Sequence, residues 1–333
     1  MKIIVLGGSG FIGRHVCEKL IAAGHSVTVP TRNAGQCKHL QLLPGLDLLP
    51  CDVHDAAQLT AAVAGQEVLV NLVAVLHGSE QRFEQVHVQL PRTIVAACKA
   101  ATAGGTTPRI VHVSALGAAL DAPSMYQRSK ARGEAVFAGS GLDFAMLRPS
   151  VVFGAEDKLL NLFAGLQKLA PIVPLAGADT QFQPVWVEDV AQAVMLLATD
   201  ARYSKNSCSR NIPHGYGLKL LKTEAVYEAC GPQLLTLRDL FAIAGQCVGA
   251  KRPVLPLPMP LARLQAWVME HLPGEPLMSR DNLESMKVAN IASGQHPGLA
   301  ELDITASSVQ AIAPTYLGAA SALDAYRRQG SRV

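Results

Sequence analysis

Charge is scarce in this chain. Only 17% of its 333 residues are charged, against 49% hydrophobic. Such a composition can bury a large core, in one large domain or in one domain with an appended lobe, and it excludes disorder as a reading of the whole. The little charge present nearly balances, at 29 Lys and Arg against 26 Asp and Glu, a formal +3. With no basic run interleaved with aromatics, nucleic acid is not an expected partner. Long apolar runs are missing too. None reaches the roughly 18 residues of a spanning helix. The apolar N-terminus, Met1 to Leu6, stops at Gly7 and Gly8, too soon for the h-region of a signal peptide, so it reads as a buried strand. Seven cysteines are scattered at 17, 37, 51, 98, 208, 230 and 247. Their number is odd and no pair has CxxC spacing, so reduced thiols are expected, not disulfides or zinc. Internal repeats and a GxSxG nucleophile elbow are also absent.

What is present is an alternation. Short β-branched runs at Lys2–Leu6, Ser26–Thr31, Asp47–Pro50, Val68–Val73, Arg109–Ser114 and Phe144–Leu147 are expected strands. Nearly all their residues are apolar, which suits parallel strands buried on both faces. Alanine-rich stretches at Gly10–Ala23, Ala56–Val63, Phe83–Ala101 and Tyr126–Gly139 are expected helices between them. The pattern predicts βαβ units and an α/β, doubly wound parallel sheet of the Rossmann type. The ligand crevice then lies at the carboxyl ends of the strands. Residues 1–150 are expected to form this core and 151–333 a smaller, mixed substrate-side lobe. Residues 187–200, with a helix over Val187–Thr199, and 224–231, with a strand over Ala225–Ala229, are expected to return to the core. The polar stretch 201–223 reads as a surface insertion. A helix over Leu237–Val248, a proline-stiffened linker at Pro253–Pro258 and a helix over Leu261–Leu272 complete the reading. That last helix gathers Leu261, Leu264, Trp267, Val268 and Leu272 roughly on one face. It fits a lid over the cleft, or docking on a membrane surface or partner.

The first strand runs straight into Gly7-Gly8-Ser9-Gly10-Phe11-Ile12-Gly13. Both GxxGxxG and GxGxxG fit, and the strand–turn–helix context gives the match its weight. Glycine is needed where backbone approaches a pyrophosphate and where the helix meets the sheet closely. Free N–H groups and the helix dipole then face the phosphates. A nicotinamide cofactor is therefore expected. NAD sites carry an acid about 20 residues further on, holding the ribose 2′-OH. Here the chain reads Pro30-Thr31-Arg32-Asn33. Arg32 can instead pair with a 2′-phosphate, so NADP(H) is expected over NAD(H).

Three further stretches resemble the short-chain dehydrogenase/reductase superfamily, in its extended and atypical branches. They are Tyr126-Gln127-Arg128-Ser129-Lys130, Leu147 to Gly154 (LRPSVVFG) and Val185 to Ala191 (VWVEDVA). Over the whole chain, Val111 to Ala118 (VHVSALGA), Tyr227 to Pro232 (YEACGP) and Met278 to Asn282 (MSRDN) resemble the NADPH-binding accessory-subunit family of respiratory complex I and its bacterial relatives. The insertion at 201–223 departs from that family pattern. The resemblance implies further cofactor contacts at Asp52 and Val53, at Asn71, Leu72, Val73 and Ala74, and at Pro149 to Val152.

The same resemblance implies a catalytic set of Tyr126, Lys130 and Ser114. A tyrosine titrating near 10 is a poor acid–base group at neutral pH, and a lysine one helical turn away lowers that value and can hold the ribose. Family enzymes place the substrate-binding hydroxyl at Ser114 or one or two places later, where Ala115 and Leu116 cannot donate. His87 stands where many relatives have asparagine. Metal binding is not expected, since neither His54 with Asp55 nor His214 with His296 has ligand spacing. Three readings stay open. The first is an NADP(H)-binding protein of the accessory-subunit type, with the cofactor stabilising the fold or an assembly. The second is an active NADPH-dependent oxidoreductase or epimerase. The third is a dinucleotide-sensing regulator. Expected partners are a small-molecule substrate or a respiratory-complex or membrane-surface partner, in a cytoplasmic protein that is free or peripheral to the inner membrane.

Overall fold

The computed structural model describes residues 1–37, 40–103, 105, 107–203, 226–271 and 278–318. Contacts divide the chain into two units. The first comprises Met1–Pro149, Val190–Ala229 and Ser293–Ile304; the second comprises Ser150–Asp189, Cys230–Ala292 and Thr305–Val333.

The first unit is built on strands β1 (Lys2–Leu6), β2 (Ser26–Thr31), β3 (Leu46–Pro50), β4 (Val68–Asn71), β5 (Arg109–Val113), β6 (Phe144–Pro149) and β7 (Val226–Ala229). They form one sheet in the order β7-β6-β5-β4-β1-β2-β3, every neighbouring pair parallel. In β4 and β5 every residue is buried, as an apolar strand covered on both faces requires. The chain passes from β1 to β2 on one side and reaches β4 on the other. The strand order thus reverses beside β1, the switch point at which doubly wound sheets bind ligands.

Helices α1 (Phe11–Ala22), α2 (Ala56–Val63), α3 (residues 80–103), α4 (Met125–Ala138), α5 (Leu159–Leu169) and α6 (Val187–Thr199) follow in chain order. On one face of the sheet, Leu59 and Val63 of α2 and Ile94 and Cys98 of α3 bury against Ile4, Leu69 and Ile110. Burying side chains of this size stabilises by about 1.5–3 kcal/mol each. The helix expected from Phe83 starts earlier, at Glu80, because the Ser79 hydroxyl caps it by accepting from Arg82 N. Its turn at Gln85–Gln89 is a π-helix. Strand β4 ends at Asn71, two residues before the expected Val73.

In the second unit α5 packs with α7 (Leu237–Cys247) and α10 (Val309–Leu317) around Phe163 and Phe241, whose ring centroids are 5.3 Å apart. Helices α8 (Met259–Glu270) and α9 (Arg280–Ser285) lie between α7 and α10 in sequence. Short strands tie these helices together. Val152–Phe153 pairs with Val185–Trp186. Val173–Leu175 pairs in parallel with Val254–Pro256, so the middle of the segment expected to be a proline linker is a strand. Its prolines are tolerated because an edge strand does not need every N–H.

The family-like motifs acquire physical reasons here. A methyl at Gly231 would overlap the Pro184 carbonyl oxygen. Asp189 accepts from Ser307 N at 2.7 Å. Ser279 and Asn282 form a capping box at α9. Ala201–Tyr203 is a single 3-10 turn. The rest of the expected insertion, residues 204–223, lies outside the described residues, as do Ala225, Leu272, Cys208 and His214.

Candidate functional site

The glycine turn joins β1 to α1. Gly7 has φ +80°, and a methyl there would sit 3.2 Å from the Leu72 carbonyl carbon and Val73 nitrogen. A methyl on Gly13 would overlap the Gly7 oxygen and stand 2.7 Å from Gly8 Cα. One on Gly8 would press 2.7 Å from Val29 Cγ2. These three glycines are fixed by packing. Gly10 is different, because a methyl there would meet only the Gly7 oxygen, at 3.3 Å. It is the N-cap of α1 with no side-chain cap, and the first turn holds no acid. Ser9 and Gly10 are exposed, and Phe11 and Ile12 are half-buried. An uncapped helix start beneath an open glycine is what a pyrophosphate requires.

The other predicted contacts fall at the carboxyl ends of neighbouring strands. Arg32 follows β2 and is exposed. Asp52 follows β3, and its Oδ1 accepts from His54 N at 3.0 Å. Val53 packs against the sheet core. Leu72, Val73 and Ala74 follow β4, with Leu72 N donating to Leu6 O at 2.9 Å. Asn71 behaves otherwise: it is 1% exposed and its side chain is engaged inside. Its Oδ1 accepts from Val73 N at 3.2 Å, leaving Nδ2 to donate to His112 Nδ1 at 3.1 Å. Pro149 ends β6, and its carbonyl accepts from Leu116 N. Val152 belongs to the second unit. Asp55, weighed with His54 for a metal, instead caps α2 by accepting from Ala57 N and Gln58 N.

Beyond β5 the structure assembles a buried polar cluster. Lys130 is 1% exposed, and its Nζ donates to Val113 O at 2.9 Å. Burial pushes its ammonium down to about 8, against the opposing pull of Glu134 one turn along. Glu134 in turn accepts from Arg148 Nε at 2.9 Å, in a bidentate pair. Tyr126 is half-buried, edge-on to the rings of Phe83 and His87. Burial pushes its phenol up to about 12. Burial alone sets that direction, which is opposite to the lowering that the YxxxK spacing predicts. Ser114 is buried, and its Oγ finds no hydrogen-bond partner among the described residues. Ala115 and Leu116, its apolar followers, are buried as well.

His87 sits on the π turn of α3. Val75 N donates to its Nε2 at 3.2 Å, so the ring proton is on Nδ1, which donates to Ser129 Oγ at 2.8 Å. Ser129 Oγ passes the bond on to Tyr126 O at 2.7 Å. Burial, with Lys130 near, pushes this imidazole down to about 3, and His112 is driven well below its usual range for the same reasons. Both rings are therefore neutral spacers around the lysine. A methyl at Gly133 would overlap the His87 carbonyl, so α4 can lie this close to α3 only with glycine there. Ser129, Glu134 and Arg148 are site neighbours that the sequence reading did not assign. The i,i+4 spacing of Lys130 and Glu134 was a usable signal; Arg148 comes from another strand and had none.

The arrangement fits a dinucleotide along the carboxyl edge: an open glycine turn, an arginine after β2, and a buried hydroxyl and amine beyond β5. Comparison with known proteins agrees. A family model described as NAD(P)H-binding matches residues 7–162. The chain is 30% identical over 312 residues to NADH dehydrogenase (ubiquinone) 1 alpha subcomplex subunit 9, mitochondrial, of Mus musculus, covering 90% of this chain and 75% of that one. It is 25% identical to the NADH-ubiquinone oxidoreductase 40 kDa subunit of Neurospora crassa, covering 84% and 69%. Among solved structures, the NADPH-dependent quinone oxidoreductase of Escherichia coli complexed with NADPH superposes with a TM-score of 0.70 at 19% identity, over 95% and 99% of the two chains. The chain is thus an NAD(P)-binding, atypical short-chain dehydrogenase/reductase relative, and it belongs to the family of NADH dehydrogenase (ubiquinone) 1 alpha subcomplex subunit 9.

Proposed function

We propose that this protein holds NADP(H) as a resident part of its structure and serves as a partner in a respiratory assembly, peripheral to a membrane on its cytoplasmic face; the names of its relatives, which are subunits of NADH dehydrogenase (ubiquinone), support the assembly part of this reading. In this reading Gly7 to Gly13 hold the pyrophosphate, Arg32 the 2′-phosphate, and Asp52, Val53 and Leu72 to Ala74 the adenosine side. Ser114, Lys130 and Pro149 line the nicotinamide side. Asn71 and Val152 take indirect parts: Asn71 braces the Leu72–Ala74 turn through Val73, and Val152 follows Pro149 in the chain. Bound, the dinucleotide could give or accept a hydride. The observation that carries the structural reading is the state of the acid–base pair. Lys130 donates to Val113 O, and the Tyr126 phenol is pushed up, not down. A phenol near 12 is a weak proton donor at neutral pH.

The test is the exchange rate of bound NADPH, followed by nicotinamide fluorescence. Release over hours is expected; exchange within seconds would overturn the structural role. Arg32→Ala is expected to lower the NADPH/NADH affinity ratio, and an unchanged ratio would remove Arg32 from the site. One observation favours the second reading, an NADPH-dependent oxidoreductase or epimerase with Tyr126 as the acid–base group. The Ser114 hydroxyl, one residue after the carbonyl that holds the lysine, is buried with its hydrogen bond unmade, as a substrate-oxygen donor would be. Under that reading Tyr126→Phe abolishes turnover on any substrate found, while unchanged turnover excludes it.

A further inference from the structure

Helix α8 is built inside out. Its buried residues are the small ones, Ala262 and Ala266, packed with Ala176 and Leu283. Its large apolar side chains face away: Leu261 is 52% exposed, Leu264 56%, Trp267 48% and Val268 46%. At about 100° per residue these four share one stripe about 120° wide, opposite the alanines. The charged residues of the helix stand on its flank and are paired, Arg263 with Glu284 at 3.4 Å and Glu270 with Arg280 at 2.8 Å. The stripe itself carries no charge. The apolar surface continues into the preceding strand, where Leu255 is 56% exposed and pairs in register with exposed Pro174, two residues after Ile172 at 55%. Large apolar side chains gathered outward at this density mark an interaction surface.

The charges around this surface say what covers it. Residues 165–176 and 248–269 contain no Asp or Glu, yet they contribute Lys168, Lys251, Arg252 and Arg263. Lys168, Lys251 and Arg252 are exposed. A second copy of the chain meeting this face about a two-fold axis would oppose lysine to lysine, which repels. A surface of anionic headgroups over an apolar interior complements both features. The apolar stripe enters the acyl boundary, Trp267 sits at headgroup depth, and the basic rim meets the phosphates. No described helix is long and apolar enough to cross a membrane.

We propose that the outer face of α8 and the strand pair 173–175/254–256 is a docking surface for an anionic lipid bilayer. The inference deepens the peripheral placement above and rests on that reading only for a membrane being at hand. Vesicle binding and NADPH exchange are separate measurements, so either can fail alone. The experiment is co-sedimentation of the full chain with phosphatidylcholine vesicles and with vesicles one-third phosphatidylglycerol. Binding to the mixed vesicles is expected, with weaker binding to phosphatidylcholine alone and a loss at high salt. Lys168→Gln with Lys251→Gln is expected to weaken it about 25-fold, roughly fivefold per charge. Leu264→Glu with Trp267→Glu abolishes it, with the melting temperature held as the check on folding. In the unaltered chain, tryptophan emission is quenched by brominated lipid, and Trp267→Phe removes that quenching. Failure to sediment with the mixed vesicles overturns the proposal. So does binding that survives Leu264→Glu with Trp267→Glu, or a concentration-dependent dimer lost in that variant without any vesicle binding.

Discussion

Gly10 and Gly13 lie three residues apart in one motif, and the structure assigns them opposite consequences. At Gly13 an added methyl presses on backbone, 2.7 Å from Gly8 Cα and 2.8 Å from the Gly8 carbonyl carbon. Neither atom can yield without opening the turn. Overpacking of this kind costs about 1–3 kcal/mol. Alanine recovers about 0.5–1 kcal/mol through helix propensity. Gly13→Ala should therefore lose up to about 2.5 kcal/mol of stability. At Gly10 the backbone has φ −79° and ψ 177°, which alanine adopts freely. Its methyl would meet only the Gly7 oxygen at 3.3 Å. The cost to folding stays within about 1 kcal/mol, that of a changed cap. The methyl would instead occupy the space above the α1 amides. Losing one charge-assisted hydrogen bond to a phosphate costs about 1.5–3 kcal/mol, so NADPH affinity should fall roughly 10- to 150-fold. Urea unfolding without cofactor and NADPH titration by fluorescence separate the two effects. If Gly10→Ala binds NADPH as well as the parent, the phosphate is not above Gly10. If Gly13→Ala keeps the parent's unfolding midpoint, the packing argument fails.

Further predictions concern the cluster beyond β5. The folded-state value of His87 is depressed from 6.5 to about 3. The unfolded chain therefore binds the proton first, and the stability this group contributes is present above pH 6.5 and lost as pH falls toward 3. Each such histidine adds a slope of about 1.4 kcal/mol per pH unit inside that window. His87→Gln should make the decline between pH 6 and 4 shallower by about one proton, read from unfolding midpoints across pH; a parallel curve would mean His87 is charged in the fold. Glu134→Gln leaves the Arg148 guanidinium without its partner charge, at side-chain exposures of 19% and 9%. It should cost about 3–5 kcal/mol, the usual loss when one member of a buried pair is removed. The same change removes the pull that keeps the Lys130 ammonium up, so Lys130 should titrate lower still, measurable by NMR on a labelled lysine. An unchanged Lys130 titration would show that Glu134 does not act on it.

The sequence by itself determined the sheet and the glycine turn. Buried parallel strands must be apolar on both faces, so β1 and β2 could be read to the residue and β4 and β5 to within two, and Gly7 to Gly13 could be placed because strand, turn and helix adjoin in the chain. The YxxxK spacing located Tyr126 and Lys130 for the same local reason. Their chemistry was not local. Burial decided which way the Tyr126 phenol moves, and Val113, thirteen residues before Tyr126, became the lysine's partner only when β5 met α4. Asn71 looked like a ribose contact by position, but His112 on the next strand claimed its side chain. Pro253 to Pro258 looked like a linker because proline breaks regular structure in isolation; a neighbouring edge at Val173–Leu175 made it a strand. Apolar spacing on α8 grouped Leu261, Leu264, Trp267 and Val268 on one face and could not say which way that face was turned. Helical periodicity fixes which side chains share a face, while only packing, here through Ala176 and Leu283, decides which face is turned to the core.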